Sequence, residues 1–119
     1  MILLCPFEHH HMLKELSEMT LESVTEESLS VDSYAANCNR GIFNVLSNSE
    51  LKIAAEQAYR AWLGFYNSNT KKCGNWDKVT LVEKANFFST TLGLREVPFL
   101  EKSTVGKMGL RGVQGLRIK

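Results

Sequence analysis

The stretch AYRAWLGFYN, residues 58–67, decides the fold, because it continues a helical pattern that begins near residue 50 and is apolar on almost every side. Its apolar side chains recur at three- and four-residue spacing and form one stripe, made of Leu51, Ala55, Ala58, Tyr59, Trp62 and Tyr66. Other apolar residues widen this stripe, so several neighbouring elements must cover the helix. We therefore expect a helix over residues 50–68 at the centre of a bundle.

The aromatic residues of this stripe allow two interpretations. Tyr59, Trp62 and Tyr66 share a helix face with aliphatic residues, which is typical of a protein core. Aromatic side chains also form the platforms on which the bases of single-stranded nucleic acids stack. Since aromatics at helical spacing are far more common in cores, we interpret these three as core residues whose polar groups reach toward the surface.

A second helical pattern precedes the central one. Apolar residues at three- and four-residue spacing predict a helix over residues 33–46, although Gly41 weakens it by about 1 kcal/mol relative to alanine. Ser47 and Glu50 have the spacing of a capping box, in which the serine hydroxyl and the glutamate carboxylate each bind a free backbone N–H. We expect the central helix to begin at this pair.

A third helical pattern follows the central helix and spans residues 77–92. Asp77 is suited to cap its N-terminus, and Gly93 is suited to end it in a left-handed conformation. We expect this helix to close over the stripe that contains Trp62. With a shorter pattern over residues 8–19, the predicted fold class is all-α, a small bundle of four or five helices.

The C-terminal tail combines glycine with basic residues. Residues 105–117 read VGKMGLRGVQGLR, with a glycine at every third position from Gly106 to Gly115. We expect a short helical turn over residues 103–108 and irregular chain after it. Glycine lets the backbone approach a phosphate closely, and the tail supplies five cations, Lys102, Lys107, Arg111, Arg117 and Lys119. A flexible, solvated terminus is the open alternative.

Charge is divided unevenly along the chain. Residues 1–50 carry two basic and eight acidic side chains, a formal charge of −6, whereas residues 51–119 carry twelve basic and five acidic ones, a formal charge of +7. An anionic partner such as RNA is attracted to the second half and repelled by the first. The alternative is a lopsided solvated surface without a binding role.

The N-terminal residues predict a strand and then a helix. The apolar run ILLC, residues 2–5, is halted by Pro6 as a buried strand would be, and such a strand needs a sheet to join.

Three consecutive histidines, residues 9–11, point about 100° apart on a helix and do not converge on one metal ion. The acidic residues 19–32 are the best candidate for a linker, with a turn of helix over residues 22–29.

Cysteine usage and hydropathy limit the cellular environments that we expect for the chain. Cys5, Cys38 and Cys73 are odd in number and widely spaced, so neither a zinc site nor a disulfide framework is indicated. We expect a reduced, intracellular compartment, with organelle and nucleus left open. No apolar run approaches the ~20 residues of a membrane span, and we expect no signal peptide, no membrane partner, no metal and no cofactor.

Three segments together resemble a known family. The aromatic helix, the Trp-Asp-Lys start at residues 76–78 and the Gly-Lys-Met-Gly-Leu tail occur in the order found in the C-terminal extension of DEAD-box ATP-dependent RNA helicases of the mitochondrial and plant type. The resemblance is densest over residues 58–117. Gln114 departs from the proline that such relatives tend to have, so we expect a less rigid tail.

The N-terminus resembles another part of the same helicases. Residues 2–8 are similar to the "ILL-x-P-[FW]-E" sequence that forms the last strand of the second RecA-like domain and enters its closing helix. The resemblance implies three parts: a remnant of that α/β domain over residues 1–18, the acidic linker over residues 19–32, and the helical extension with its basic tail over residues 33–119. In such helicases the extension packs on the second RecA-like domain, lengthens the RNA path and helps to bend the strand.

The motifs of a helicase motor do not occur in this sequence. A phosphate-binding loop needs G-x-x-x-x-G-K-[ST], but Gly106 and Lys107 are followed by Met108, and Glu101 stands where the first glycine should be. Neither an Asp-Glu-Ala-Asp run nor a His-Arg-x-Gly-Arg run is present. We therefore expect no ATPase activity from this chain and do not predict an enzyme.

The resulting hypothesis is a truncated helicase-like protein that acts as an RNA-binding accessory module. It holds single-stranded RNA by phosphate contacts from six basic residues, Lys71, Lys72, Lys78, Lys107, Arg111 and Arg117. The rival hypothesis is a protein-interaction module that docks on a helicase core in trans or associates with itself through an exposed apolar face. A third alternative is an inactive relic of a helicase.

Overall fold

The computed structural model describes residues 2–25 and 32–119. Five α-helices lie in these residues, which confirms the predicted all-α class; they are α1 (His9–Glu15), α2 (Asp32–Phe43), α3 (Ser49–Ser68), α4 (Lys78–Thr91) and α5 (Lys102–Lys107). A single 3₁₀ turn, Asn44–Ser47, joins α2 to α3. Two short strands, β1 (Phe99–Leu100) and β2 (Arg117–Ile118), complete the described structure.

Helix α3 is the predicted central helix, but its cap is one residue later than expected. The side chain of Asn48 accepts hydrogen bonds from the backbone N–H groups of Glu50 and Leu51, at 3.0 and 3.1 Å. The hydroxyl of Ser47 instead donates to the carbonyl of Asn44, at 2.9 Å. The capping-box prediction was therefore wrong, because Ser47 is the last residue of the preceding 3₁₀ turn and its hydroxyl is hydrogen-bonded within that turn.

The core lies where α3 packs against α4. Helix α3 buries one stripe, made of Ala55, Tyr59, Leu63 and Tyr66, and α4 buries Leu81, Val82, Ala85 and Ser89 against it. The side chain of Asp77 caps α4 by accepting from the N–H of Thr80 at 2.8 Å, as predicted, and this hydrogen bond lowers the pKa of the Asp77 carboxyl. The turn after α4 passes through Gly93 at φ +82°, which confirms the predicted left-handed ending.

The tail is packed against the helices rather than flexible. Leu100, Val105 and Leu110 are fully buried in the same core cluster as α3 and α4. Strand β1 pairs in parallel with β2, with Phe99 opposite Arg117 and Leu100 opposite Ile118, and α5 crosses between them. The predicted helical turn is confirmed as α5, whereas the solvated-terminus alternative is wrong, because apolar tail residues have a core to join.

The N-terminal segment contacts the helices without joining a sheet. Within the described residues, the run at positions 2–5 pairs with no strand, so the predicted strand has no sheet here. The ring of Phe7 lies edge-on to Tyr66 and Trp76, with centroid distances of 5.5 and 4.7 Å. The hydroxyl of Tyr66 donates to the carboxylate of Glu8 at 2.5 Å.

The acidic linker is only partly described. Residues 20–25 adopt neither helix nor strand, so the helical turn predicted over residues 22–29 is absent from residues 22–25. Residues 26–31, and with them the second half of that predicted turn, lie outside the described residues. The division into parts at residues 18 and 32 stays a prediction.

Helix α2 has the predicted position but not the predicted packing. Its apolar residues are largely in solvent, with Tyr34 65% and Phe43 84% exposed. On α3, Leu51 and Ile53 are also exposed, so the N-terminal half of α3 lacks the neighbouring elements that we expected to cover it on several sides.

None of the helices in residues 2–25 and 32–119 combines the length and the hydropathy that a membrane crossing demands.

Candidate nucleic-acid interface

One face of α3 lies along the C-terminal tail and brings basic residues from distant parts of the chain together. The guanidinium of Arg60 donates to the carbonyl of Phe99 at 3.4 Å. One turn later, Gly64 lies close enough to the tail that a Cβ there would contact the Cε of Met108 at 3.4 Å. Asn67 donates to the carbonyl of Met108 at 3.0 Å. Residues four and then three apart on one helix thus define the tail-facing side of α3.

Two of the six predicted residues, Lys78 and Lys107, lie at the C-terminal end of this face. The ammonium of Lys78 donates to Asn67 Oδ1 at 2.6 Å, and Asn67 in turn binds the carbonyl next to Lys107. This chain of hydrogen bonds brings the Lys78 ammonium to the backbone beside Lys107. Lys71 and Lys72 are exposed in the turn between α3 and α4.

Arg111 lies on a neighbouring surface. Its guanidinium folds over Gly106, where an added Cβ would lie 2.8 Å from Nη2. A shallow pocket of about 270 Å³ beside it is lined by Lys102, Val105, Arg111, Gly112 and Ile118. The glycine therefore makes room for the arginine, and the guanidinium remains exposed.

Arg117, the sixth predicted residue, already has protein partners. Its guanidinium binds the carboxylate of Glu96 at 2.5 Å and the carbonyl of Val97 at 3.2 Å, and it lies 4.1 Å from the ring centroid of Phe99. The structure thus distributes the predicted residues over several parts of the surface: Lys78 and Lys107 at the end of α3, Lys71 and Lys72 in the turn after it, Arg111 beside Gly106 and Arg117 beside Phe99.

Around Arg117 lies a cleft that the sequence did not predict. It has a volume of about 360 Å³ and is lined by five cationic side chains, Lys52, Arg60, Arg95, Arg117 and Lys119, and by two acidic ones, Glu56 and Glu96. We call it the basic cleft. Lys52 and Arg60 come from α3, Arg95 follows α4, and the other two come from the end of the tail. These segments are far apart in sequence. The one feature of the sequence that could have indicated the cleft is that Lys52 and Arg60 lie on the same face of α3.

The aromatic residues of α3 belong mainly to the core, as predicted. Tyr59 and Tyr66 are buried, and burial raises the pKa of the Tyr59 phenol to about 12. Its hydroxyl donates to Asn86 Oδ1 at 3.0 Å. Trp62 is partly buried and stacks on both Trp76 and Phe88, at centroid distances of 6.1 and 5.5 Å. The helix α4 thus closes over the Trp62 stripe.

The histidine residues bring no further ligands together. The cluster at positions 9–11 lies on α1, where the side chain of His11 is 3.9 Å from that of Glu15. Within the part of the chain that the structure describes, no three His, Cys, Asp or Glu side chains form a group able to hold a metal ion.

The chain is similar along almost its whole length to segments of several plant proteins. DEAD-box ATP-dependent RNA helicase 31 of Oryza sativa subsp. japonica is 38% identical over 118 residues, which are 99% of this chain and 20% of that protein. Probable DEAD-box ATP-dependent RNA helicase 48 of Arabidopsis thaliana is 37% identical over 122 residues, which are 100% of this chain and 14% of the relative.

A shorter match has higher identity. DEAD-box ATP-dependent RNA helicase 26 of Arabidopsis thaliana is 49% identical over 74 residues, which are 62% of this chain and 8% of the relative. The chain therefore spans a fifth or less of the length of these relatives. No protein-family model and no solved structure matches it.

Proposed function

Because the chain is related over its whole length to a segment of the DEAD-box ATP-dependent RNA helicases, we propose that it is an RNA-binding accessory module of such a helicase. It corresponds to the C-terminal extension and holds single-stranded RNA through phosphate contacts. It has no ATPase activity of its own, since its sequence contains neither a phosphate-binding loop nor an Asp-Glu-Ala-Asp run.

The observation that carries this proposal is the position of the cations on the folded tail. Leu100, Val105 and Leu110 are buried, so the backbone that carries the tail's lysines and arginines is packed against the helices. A cation on a fixed scaffold binds phosphate at a smaller entropic cost than one on a mobile tail. The charge of +7 on residues 51–119 attracts the polyanion to this half of the chain.

Within this proposal, the six residues predicted from sequence have different roles. Lys78 and Lys107, with the nearby Lys71 and Lys72, form a cationic site at the end of α3. Arg111 extends this site along the tail, and Arg117 lies in the basic cleft. Replacing the tail's cations with neutral or acidic residues then weakens the binding of RNA of any base sequence, because phosphate contacts carry no base specificity.

A charge-reversal variant tests the proposal. We expect Lys107→Glu with Arg111→Glu to weaken the binding of a single-stranded RNA at least 25-fold in 0.1 M salt, since two phosphate contacts are lost and repulsion is added. The measurement is fluorescence anisotropy with a labelled oligonucleotide. The matched control is Lys14→Glu with Arg40→Glu, which makes the same charge change on exposed residues of α1 and α2. Equal losses in both variants would argue against a localised tail site.

A second candidate function is favoured by the exposed apolar residues of α2. Tyr34 and Phe43 on α2 and Ile53 on α3 are 65%, 84% and 55% exposed. In this alternative they dock on a helicase core or on a second copy of the chain. Replacing Tyr34 and Phe43 with serine distinguishes the two functions: partner binding or self-association falls while RNA affinity stays the same.

The ATPase part of the proposal has its own assay. Phosphate release by the full chain should equal that of buffer, with and without RNA. Turnover that RNA stimulates would refute this part.

A further inference from the structure

The basic cleft offers a more specific site than the tail alone. Three separate segments place their cations around one concavity: α3, the connection after α4, and the end of the tail. We infer that this cleft binds the phosphodiester backbone of single-stranded RNA. The inference rests on the proposed function and deepens it, because it names a phosphate site in which Lys52, Arg60 and Arg95 join the tail cations Arg117 and Lys119.

Two arginines of the cleft are held in place before any ligand arrives. Arg60 donates to the carbonyl of Phe99, and Arg117 donates to the carbonyl of Val97, so both guanidinium groups are tied to one short segment. A guanidinium has five N–H donors in a planar fork, and these bonds use only some of them. The remaining donors can bind phosphate oxygens, and their orientation is fixed at little further entropic cost.

The carboxylates of the cleft are replaceable partners. Glu96 holds Arg117 from a side chain that is 74% exposed, and exposed ion pairs of this kind contribute little to stability. A phosphate that carries a full negative charge competes for the same guanidinium and releases Glu96 to water. Glu56 and Arg60, at 3.2 Å, form the corresponding pair on α3.

Two other cations of the cleft have no such partner. Among the described residues, Lys52 and Arg95 form no ion pair within 4.0 Å, and both are exposed. Their charge is therefore not compensated locally and is available to an incoming polyanion. A path along the tail-facing side of α3, from Lys52 to Asn67, spans 15 residues and about 22 Å, and it joins the cleft to the Lys78 and Lys107 site.

The test removes the two unpaired cations. Lys52→Ala with Arg95→Ala takes away two phosphate contacts, and each contact on a single strand contributes about 0.7 to the slope of log affinity against log salt. We expect the affinity of the full chain for single-stranded RNA to fall about 25-fold in 0.1 M salt and the slope to become shallower by about 1.4. Circular dichroism of each variant checks that the helices are retained.

A matched control separates position from net charge. Lys14→Ala with Arg40→Ala removes the same residue types from α1 and α2, outside the cleft, and should change the affinity by less than about twofold at 0.1 M salt. Unchanged binding by the Lys52 and Arg95 variant, or an equal loss in the control, would overturn the cleft assignment and leave the proposed RNA binding in place. Absence of RNA binding by the unmodified chain would overturn both.

A pair of oligonucleotides identifies the kind of phosphate. RNA with a 5′-hydroxyl and RNA with a 5′-phosphate should bind equally well, because the inferred ligand is the internal backbone. A strong preference for the 5′-phosphate that disappears in the Lys52 and Arg95 variant would show a terminal-phosphate site and overturn the backbone assignment.

Discussion

Gly115 lies where the tail packs against α4. Its carbonyl accepts a hydrogen bond from Asn86 Nδ2 at 2.9 Å, and the same asparagine accepts one from the hydroxyl of Tyr59. One side chain thus joins α3, α4 and the tail. The backbone at Gly115 has φ +91°, and an added Cβ would lie 3.1 Å from Asn86 and 3.2 Å from Val82. Both the conformation and the close approach therefore favour glycine.

Two substitutions separate the effect of the left-handed backbone conformation from that of the close approach to α4. Gly115→Ala should lower the free energy of unfolding by about 1 kcal/mol more than Gly112→Ala. Gly112 has a similar φ of +77°, yet nothing lies within 4 Å of an added Cβ there. Both variants incur the left-handed backbone cost, roughly 1–2 kcal/mol, and only the first also crowds α4. Urea denaturation measures the difference, and equal losses would contradict the close packing described for Gly115.

At the scale of elements, the tail is the part that changes most between sequence and structure. Its glycines and cations predict either a phosphate-binding segment or a solvated terminus. In the structure, Val105 and Leu110 are fully buried and a parallel pair of two-residue strands closes the tail on itself. The basic side chains are therefore displayed from a folded element.

This packing makes the tail part of the cooperative core. Leu110→Ala should reduce the free energy of unfolding by about 2–5 kcal/mol, because the side chain is fully buried. Ile118→Ala, at a residue that is 40% exposed, should lose less than half as much. Chemical denaturation followed by circular dichroism gives both values. A loss at Leu110 no larger than that at Ile118 would mean that the tail unfolds independently of the helices.

The helices were predictable from sequence because their signals are local. The period of the α3 stripe, the cap at Asp77 and the ending at Gly93 all depend on residues within one or two turns. The strands β1 and β2 were not predicted, since two residues are too few to show an alternating pattern. The basic cleft was missed for a related reason: Lys52 and Arg95 meet only through the packing of α3 against the segment after α4.

At the scale of the whole molecule, charge and packing divide the chain in the same way. Every buried residue among the described ones lies between Ala55 and Leu110, within the half that carries the charge of +7. The acidic half contributes the contacts of Phe7 and Glu8 to this core but no buried residue in the described part. The cations of the second half therefore lie in the part of the chain that contains the buried core.

The central claim is that this basic, folded half binds single-stranded RNA through phosphate contacts. The most direct measurement is the affinity of the full chain for a labelled single-stranded RNA over a series of salt concentrations. With at least four phosphates neutralised, the slope of log affinity against log salt should be about −3 or steeper. No detectable binding at low salt, or a slope close to zero, would contradict the account.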